Sequence, residues 1–209
     1  MNKVLLIWGA GGHGKVVLDV ARSCGHFHPI AFLDDDLSRA GQVFSGFAVV
    51  GGRDDLERFR GGSFVAAVGD NRSRARCFAR AAAAGLLPAT LIHSSAVVSP
   101  SASIGPGTVV MPGVVVNAGA MTGKNCILNS GAVIEHDCIL GDHVHVSPHA
   151  TLAGNVIVGD GAHVGLGAII LPVICVGSGC VVGAGAVVLR DVPRDSTVAG
   201  VPAKVLKYA

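Results

Sequence analysis

Aromatic side chains are scarce in this chain, with 7 Phe, 1 Tyr and 1 Trp among 209 residues. Half of the residues are nevertheless hydrophobic, so we expect a core built from aliphatic side chains. Charge is scarce as well, because only 14% of the residues are charged and the formal net charge is +2. A charge this small gives no electrostatic case for binding nucleic acid or a membrane surface.

Long hydrophobic runs and cysteine pairs are also missing. No apolar stretch approaches the roughly 20 residues needed to span a bilayer. The run from Val4 to Trp8 is too short for the core of a signal peptide. The six cysteines form no C-x-x-C pattern, so we expect reduced thiols and no disulfide framework. Together these absences favour a cytoplasmic protein.

A six-residue repeat runs without interruption from His93 to Val188, which is 96 residues or 16 blocks. The sixth position of each block is Val, Ile or Leu, except at Thr122, and the fourth position is small or β-branched. This period is typical of a hexapeptide β-helix, in which three blocks make one triangular coil and the fourth and sixth side chains fill the interior. Sixteen blocks therefore predict about five coils. An antiparallel sandwich is disfavoured because its turns recur about every 8–12 residues.

The first 88 residues follow a different pattern. Apolar runs and helical stretches predict helices at Gly14–Cys24 and Arg72–Ala84, and strands at Lys3–Trp8, Ile30–Leu33, Phe47–Val50 and Phe64–Val68. This β-α-β order predicts a small Rossmann-like parallel sheet with helices on its faces. We therefore expect two domains, an α/β domain over residues 1–88 and an all-β helix domain over 89–209 that includes the C-terminal tail.

A glycine-rich turn, Gly9–Gly14, joins the first predicted strand to the first helix with the spacing G-x-G-x-x-G. Asp34 and Asp35 follow after the second strand. Such glycines let the backbone approach a phosphate at a helix N-terminus, and a carboxylate there accepts from a ribose or base. Fewer than 90 residues precede the coils, too few for most dehydrogenases. A sugar nucleotide is therefore favoured, with NAD(P) and a purely structural turn as the alternatives.

The middle coils hold an unusual group, since residues 135–145 contain three histidines and three carboxylates. Glu135 and Asp137 bracket His136. Because residues 18 apart stack on successive coils, His136 lies next to Gly154, and His145 next to His163. A carboxylate can fix an imidazole as a general base, and the N–H of Gly154 could face a developing oxyanion.

The remaining histidines have more ordinary interpretations. His143 and His149 are typical of solvated turn positions, whereas His163 suits either an interface or the site. The stack of His145 and His163 also leaves open a zinc site shared between subunits, for which a third ligand would have to come from a neighbouring chain.

Several motifs stand in the order found in one family. They are GAGGHGKVVLDVA at 9–21, FLDDD at 32–36, VGDNRSRAR at 68–76, LNSGAVIEHDCILGDHVHVSP at 128–148, AGNVIVGDGAHVGLGAIILP at 153–172 and AGVPAKVLK at 199–207. The chain resembles the bacterial sugar acyltransferases of the sialic acid O-acetyltransferase type, and within them the nucleotide-linked 4-amino-sugar N-acetyltransferases. The resemblance implies a left-handed parallel β-helix, a homotrimer with its active site between two subunits, and acetyl-CoA as co-substrate with no metal.

The resemblance also implies roles for single residues. His136 would be the general base with Asp137 as its carboxylate partner and Glu135 beside it, and Asn129 would line the reaction centre. Acetyl-CoA would contact His145, Gly154, Leu166 and Lys204, with Pro202 near its nucleotide end. The sugar nucleotide would contact Gly11, Gly12, His13, Gly14, Asp34 and Asp35. The chain departs from the family at His149 and Val173, where glycine is usual, which puts the local turn geometry in doubt.

The prediction is an acetyl-CoA-dependent N-acetyltransferase that acts directly, in a ternary complex, on the amino group of a UDP- or dTDP-linked amino-deoxysugar. An O-acetyltransferase acting on sialic acid or a related sugar hydroxyl is the first alternative, and a non-catalytic trimeric binding module the second. A ping-pong route through Cys138 is disfavoured, because the fourth block position points this thiol into the coil.

Apolar residues at the outward fifth block position support the trimer. Two stripes of them run along the predicted helix, and we expect both to mark an interface because long apolar stripes are costly to leave in water. The first stripe is Val97, Val115, Val133, Thr151, Ile169 and Val187, and the second is Val109, Ile127, His145, His163 and Val181.

Overall fold

The structure, a computed structural model, describes residues 4–25, 27 and 29–208. Lys3, with which the first predicted strand begins, and Ala209, at the end of the tail, lie outside the described residues. The chain forms a small α/β unit followed by a long parallel β-helix, so the predicted fold class is confirmed. None of the described helices has the length and hydrophobicity to cross a membrane.

The N-terminal unit is a four-stranded parallel sheet with a helix on each face. Its elements are β1 (Leu5–Trp8), α1 (Gly12–Cys24), β2 (Ile30–Leu33), β3 (Val43–Phe44), β4 (Phe47–Ala48), β5 (Ser63–Ala66), α2 (Asn71–Ala83) and β6 (Leu87–Pro88), with 3-10 helices at Leu37–Arg39 and Arg53–Phe59. The strand order is β2-β1-β5-β6. Helix α1 buries Val17, Leu18 and Val20 and ends at Gly25, whose φ of 75° suits glycine. Asp70 caps α2 by accepting from the N–H of Ser73.

One predicted strand lies outside this sheet. The stretch predicted at Phe47–Val50 instead forms β4, which pairs antiparallel with β3 across Ser45 and Gly46. Both turn residues have positive φ, 49° and 85°, as a tight two-residue hairpin of this kind requires. A single parallel bridge from Val49 to Phe32 connects the hairpin to the main sheet.

The β-helix is built from two-residue strands on three flat faces. In chain order they are β7 (Leu91–Ile92), β8 (Val97–Val98), β9 (Val109–Val110), β10 (Val115–Val116), β11 (Met121–Thr122), β12 (Ile127–Leu128), β13 (Val133–Ile134), β14 (Ile139–Leu140), β15 (His145–Val146), β16 (Thr151–Leu152), β17 (Ile157–Val158), β18 (His163–Val164), β19 (Ile169–Ile170), β20 (Cys175–Val176), β21 (Val181–Val182) and β22 (Val187–Val188). The tail adds β23 (Ser196–Ala199) and β24 (Lys204–Tyr208).

We name the faces by their outward residues. The histidine face is β7, β9, β12, β15, β18, β21 and β23, extended by antiparallel β24. The valine face is β8, β10, β13, β16, β19 and β22, and the isoleucine face is β11, β14, β17 and β20. The valine face therefore has six strands, and the helix has about six coils where about five were predicted. The difference arises because β7 begins before the first hexad and β23 continues the histidine face after the last.

Block positions fix the backbone and the core together. Fourth- and sixth-position side chains such as Ala132 and Ile134 are fully buried, as predicted. From residue 107 onward the third position of every block has positive φ, whatever its residue type. His149 and Val173 share this conformation, with φ of 56° and 64°, so the coil continues through both departures from glycine.

The N-terminal unit packs against the lower part of the histidine face. Helix α1 contacts β7 and β9, and Val109 and Ile127 are each only 1% exposed. The sequence predicted that the stripe from Val109 to Val181 forms an interface with another chain. This prediction is wrong at Val109 and Ile127, because the chain's own N-terminal unit covers them. The isoleucine face, in contrast, leaves Met121, Ile139 and Ile157 exposed.

Candidate active site

His136 and Asp137 form an imidazole–carboxylate pair on the turn between β13 and β14. The Nδ1 of His136 lies 2.9 Å from Oδ2 of Asp137. Asp137 occupies the left-handed third block position, with φ of 59°, which turns its carboxylate back towards the preceding ring. A carboxylate only accepts hydrogen bonds, so Nδ1 carries the proton and Nε2 is left with a lone pair. This is the arrangement a general base needs.

Glu135 bonds to the backbone of His136 and not to its ring. Its Oε2 accepts from the backbone N–H of His136 at 3.3 Å and makes no hydrogen bond to the ring. Of the two carboxylates that bracket His136, Asp137 alone therefore holds the imidazole within the described residues, while Glu135 restrains the turn.

Gly154 lies beside the free nitrogen of His136. A Cβ built on residue 154 would come within 2.5 Å of His136 Nε2, so the glycine makes room for the ring. The N–H of Gly154 makes no hydrogen bond in the part of the chain that the structure describes. An unused backbone donor thus lies next to His136, as the stacking of residues 18 apart predicts.

A second polar group lies on the histidine face. The Nδ2 of Asn129 lies 3.2 Å from His145 Nε2, and the rings of His145 and His163 stack with centroids 4.6 Å apart and planes inclined by 2°. Ser147 Oγ is 2.8 Å from His163 Nε2. Successive coils thus repeat one unit, in which a polar residue holds a histidine of the coil above.

The hydrogen bonds of Asn129 fix the tautomer of His145. Oδ1 of Asn129 accepts from the N–H of Ser130 at 2.9 Å, so Nδ2 is the donor towards His145 Nε2. The proton of His145 consequently sits on Nδ1, which is buried and has no hydrogen-bond partner within the described residues. The second N–H of Asn129 Nδ2 stays available to a ligand.

Burial keeps these histidines neutral. It lowers the pKa of His145 to about 3, with a smaller contribution from His163, and it also lowers the pKa of His163. No group of three His, Cys, Asp or Glu side chains that could hold a metal ion occurs among the described residues.

The two polar groups lie on opposite edges of the valine face. We call the turns at 118, 136, 154, 172 and 190 the His136 edge, because they lead from the valine face to the isoleucine face. We call the turns at 129–131, 147–149 and 165–167 the Asn129 edge, because they lead from the histidine face to the valine face. No hydrogen bond or ion pair joins the two groups in the described structure. One chain therefore does not bring Asn129 and His145 to His136.

The predicted acetyl-CoA residues are divided in the same way. Gly154 lies on the His136 edge, whereas Leu166 is exposed on the Asn129 edge. Lys204 is exposed at the end of the β-helix and lines a groove of about 340 Å³ together with Arg190 and Pro202.

The glycines of the N-terminal turn fall into two kinds. A Cβ on Gly11 or Gly12 would meet no atom within 4 Å, so both border open space at the start of α1, which has no side-chain cap. Gly14 is different, because its Cβ would lie 2.0 Å from the carbonyl oxygen of Gly9. Gly11 and Gly12 therefore suit a phosphate site, whereas Gly14 packs the helix against the strand.

The acidic residues of the predicted sugar-nucleotide site are bound within the protein. Asp34 Oδ2 accepts from the N–H of Ala10 at 2.8 Å and thereby fixes the glycine turn. Asp35 accepts from Trp8 Nε1 at 3.1 Å and pairs with Arg53 at 3.1 Å. Each carboxylate oxygen can accept a further bond, so the pair both shapes the site and can still bind a hydroxyl.

His13 follows the two open glycines. Its Nε2 is buried and has no hydrogen-bond partner within the described chain. Burial, and then the charge of Arg74, lower the pKa of His13 to about 4, so the ring is neutral at pH 7. A neutral imidazole with an unpaired nitrogen is suited to a hydrogen bond from a ligand or a water molecule.

A cleft of about 690 Å³ separates the N-terminal unit from the histidine face. Asp70 and Asn71 at the start of α2 line one side, and His145 and His163 line the other. Asn71 Nδ2 spans it by donating to the carbonyls of Gly161 and Ala162, at 2.9 and 3.1 Å. Sequence reasoning missed the α2 side, although the motif at 68–76 contains it.

Cys138 lies inside the coil, as predicted. The residue is fully buried, and its Sγ donates to the carbonyl of Ala153 at 3.1 Å. Burial also raises the pKa of this thiol, which disfavours the thiolate that a ping-pong route needs.

Comparisons with known proteins agree over the whole chain. Residues 4–81 match the PglD N-terminal domain, and residues 119–154 match the bacterial transferase hexapeptide (six repeats). The acetyltransferase domain of PglB from Neisseria gonorrhoeae FA1090, solved with acetyl coenzyme A, is 44% identical, with a TM-score of 0.93 and coverage of 99% of this chain and 100% of that one.

Two further solved structures are similar. PerB from Caulobacter crescentus, in complex with CoA and GDP-perosamine, is 40% identical, with a TM-score of 0.93 and 99% of both chains covered. WeeI from Acinetobacter baumannii AYE is 27% identical, with a TM-score of 0.90, and the match covers 98% of this chain and 100% of that one. The perosamine N-acetyltransferase from Caulobacter crescentus has also been solved with one histidine replaced by asparagine.

Proposed function

Because this chain belongs to the PglB and PerB family of hexapeptide-repeat sugar-nucleotide acetyltransferases, we propose that it transfers the acetyl group of acetyl-CoA to the amino group of a nucleotide-linked amino-deoxysugar. The observation that carries the proposal is the pair of His136 and Asp137, whose free Nε2 lies beside Gly154. Both co-substrates are cytoplasmic metabolites, which supports the predicted cytoplasmic location.

The chemistry needs one base and one oxyanion site. The sugar amine attacks the thioester carbonyl carbon, and His136 Nε2 takes the proton that the amine loses. Asp137 stabilises the resulting imidazolium. When the C–S bond breaks, the same proton passes to the departing CoA sulfur, so the products are the N-acetyl sugar and CoA. A positioned general base typically contributes about 10²–10⁴-fold to the rate.

The division of the site over two edges supports a homotrimer. If three copies turn their valine faces towards a common axis, the His136 edge of each copy meets the Asn129 edge of the next. The exposed side chains of Val97 and Ile169 give the valine face an apolar surface for this contact. Each complete site would then combine His136 and Gly154 of one copy with the Asn129 edge of another.

Within such a site we assign two donors to the acetyl oxygen. The unused N–H of Gly154 lies next to the base, and the second N–H of Asn129 would approach from the neighbouring copy. His145 is 9% exposed, so it acts by fixing Asn129. The neutral ring accepts from Nδ2 at all pH values near 7.

The His136 edge also offers a path for acetyl-CoA. Successive coils are about 4.8 Å apart, so the three steps from His136 to Arg190 cover about 14 Å. Gly154 and Pro172 lie on this path, which ends at the groove that Lys204 lines. We propose that the thioester lies at Gly154 and that the phosphates of the nucleotide end meet Arg190 and Lys204.

The sugar nucleotide would bind to the N-terminal unit. Its diphosphate would lie on Gly11, Gly12 and His13, and the base and ribose near Asp34 and Asp35. The prediction named UDP or dTDP, while the Caulobacter relative was solved with GDP-perosamine. GDP, which the sequence does not separate from UDP and dTDP, is therefore a candidate with them.

A free-thiol assay of CoA release tests the function directly. The acceptors are 3- and 4-amino-deoxysugars linked to UDP, dTDP and GDP, with free sialic acid as the hydroxyl acceptor. The proposal predicts turnover with at least one amino-sugar nucleotide and none with sialic acid. Turnover with sialic acid alone would make the protein an O-acetyltransferase, and CoA binding without turnover would favour a non-catalytic binding module.

A further inference from the structure

Arg74 is a cation buried at the contact between the two domains. It lies on α2 and is 1% exposed, and it is the largest of the fully buried side chains in the described structure. None of the ion pairs in the described structure includes it. Burying a charge without a carboxylate is costly unless other polar groups replace water.

Four backbone carbonyls replace that water, two from each domain. Nη1 donates to Val68 and Gly69 of the N-terminal unit, at 3.3 and 3.2 Å. Nε donates to the carbonyl of Asn125 at 3.0 Å, and Nη2 to that of His143 at 2.8 Å. The planar guanidinium thus spans a loop of one domain and two consecutive coils of the other.

The two β-helix residues are themselves held rigidly. Asn125 and His143 both take the left-handed third block position, with φ of 55° and 59°. Asn125 Nδ2 lies 2.8 Å from His143 Nδ1 and also donates to the carbonyl of Arg74 at 3.3 Å. The ring of Phe78, one turn further along α2, meets the ring of His143 edge-on. The guanidinium is therefore attached to a fixed corner of the β-helix.

The other end of this connection leads to the cleft. Gly69 lines the cleft opposite His145, and Asn71, two residues further on, bonds to the Gly161 turn. Arg74 therefore fixes the start of α2, and with it the Gly69 side of the cleft, relative to the histidine face. A methionine would fill the same volume without a buried charge, so packing alone does not call for arginine.

We propose that Arg74 is a positioning residue, which holds the sugar-nucleotide-binding unit at the distance from the β-helix at which the bound amine reaches the thioester. This inference rests on the proposed acetyl transfer. Arg74 contacts neither substrate in this arrangement and acts through Gly69, Asn125 and His143. A misplacement of about 1 Å at a reacting centre can cost on the order of 10²-fold in rate.

The test compares Arg74→Met and Arg74→Lys with Arg76→Met, a matched control at an exposed arginine of the same helix. The measurements are kcat, the affinity for acetyl-CoA and for the accepted sugar nucleotide by calorimetry, and the melting temperature. We expect Arg74→Met to bind each co-substrate within about threefold of wild type while kcat falls about 10–100-fold. Arg74→Lys should recover part of kcat, and Arg76→Met should match wild type within about twofold.

A folded Arg74→Met with kcat within about threefold of wild type would overturn the proposal. If Arg74→Met does not fold, the same measurements on Arg74→Lys decide whether Arg74 is a positioning residue. A parallel loss of kcat, melting temperature and the affinities for acetyl-CoA and the sugar nucleotide would show a purely structural role. Amide hydrogen exchange of the ligand-free protein tests the role of Arg74 independently of the proposed acetyl transfer. Exchange should rise at residues 67–71 and at Asn125 and His143 in Arg74→Met, even if no amino-sugar nucleotide is turned over by the wild type.

Discussion

The ring of His136 occupies the space in which a side chain on Gly154 would lie, with Nε2 2.5 Å from the position of that Cβ. The backbone of Gly154 does not have positive φ, and the same turn position holds Ala118 two coils below and Pro172 one coil above. The turn itself therefore accepts side chains. The glycine is required by the imidazole beside it.

Gly154→Ala should accordingly damage catalysis and spare the fold. We expect kcat to fall about 10–100-fold because the added methyl group displaces the base from its acceptor. The melting temperature should stay within a few degrees of wild type. Ala118→Gly, at the same turn position two coils below, is the matched control and should leave kcat unchanged within about twofold. Full activity in Gly154→Ala would show that His136 Nε2 is not the base.

The two kinds of glycine in the N-terminal turn predict opposite outcomes for alanine. The added methyl group of Gly12→Ala meets no other atom and lies in a helix, so the melting temperature should stay the same or rise. The KM for the sugar nucleotide should rise at least about 10-fold, since the methyl group enters the phosphate site. Gly14→Ala collides with the carbonyl of Gly9 and should lower the melting temperature. An unchanged KM in Gly12→Ala would place the phosphates elsewhere.

The burial of His145 predicts how stability depends on pH. Its pKa is about 3 in the folded protein and 6.5 in the reference state, so the unfolded chain binds the proton more readily between these values. The free energy of unfolding should therefore fall as the pH decreases from 6.5, by up to about 1.4 kcal/mol per pH unit for this residue. The free energy of unfolding, measured by urea titration at each pH, should fall less steeply with decreasing pH in His145→Phe than in the wild type. The same pH dependence of the free energy of unfolding in both proteins would contradict the account.

Val173 predicts a gain in stability. It holds φ of 64° with a β-branched side chain, a conformation that costs about 1–2 kcal/mol in a residue other than glycine. After allowance for the greater freedom of glycine in the unfolded chain, Val173→Gly should raise the free energy of unfolding by about 0.5–1 kcal/mol. Gly185→Val, with φ of 66° and open space around it, should lower it. Urea denaturation at one protein concentration measures both, and a loss in Val173→Gly would contradict the argument.

Much of the fold could be predicted from the sequence because the hexad fixes position and burial together. Even the exception obeys the pattern, since Thr122 points inward and its hydroxyl accepts from the N–H of Gly105 at 3.0 Å. The stacking of His136 beside Gly154 follows from the same arithmetic. The β3–β4 hairpin did not follow, because the strand predicted at Phe47–Val50 pairs with β3, a strand of only two residues that has no periodic signal of its own.

The placement of one domain on the other could not be predicted. The burial of Val109 and Ile127 and the four carbonyls around Arg74 depend on contacts between distant parts of the chain, which periodicity does not describe. The tautomer of His145 likewise depends on the bond from Ser130 to Asn129. Local patterns thus predict the elements and the general base, whereas the way the site is held requires the three-dimensional arrangement.

Complementation between two inactive variants tests most directly whether His136 acts in a site built from two copies. His136→Ala and the double variant Asn129→Ala, His145→Ala are co-expressed with different tags, and mixed trimers are assayed for CoA release. Each variant alone should be nearly inactive. In every mixed trimer one of the three junctions pairs an intact His136 with an intact Asn129 edge, so about one third of wild-type activity should return. Mixed trimers no more active than the separate variants would show that the site lies within a single chain.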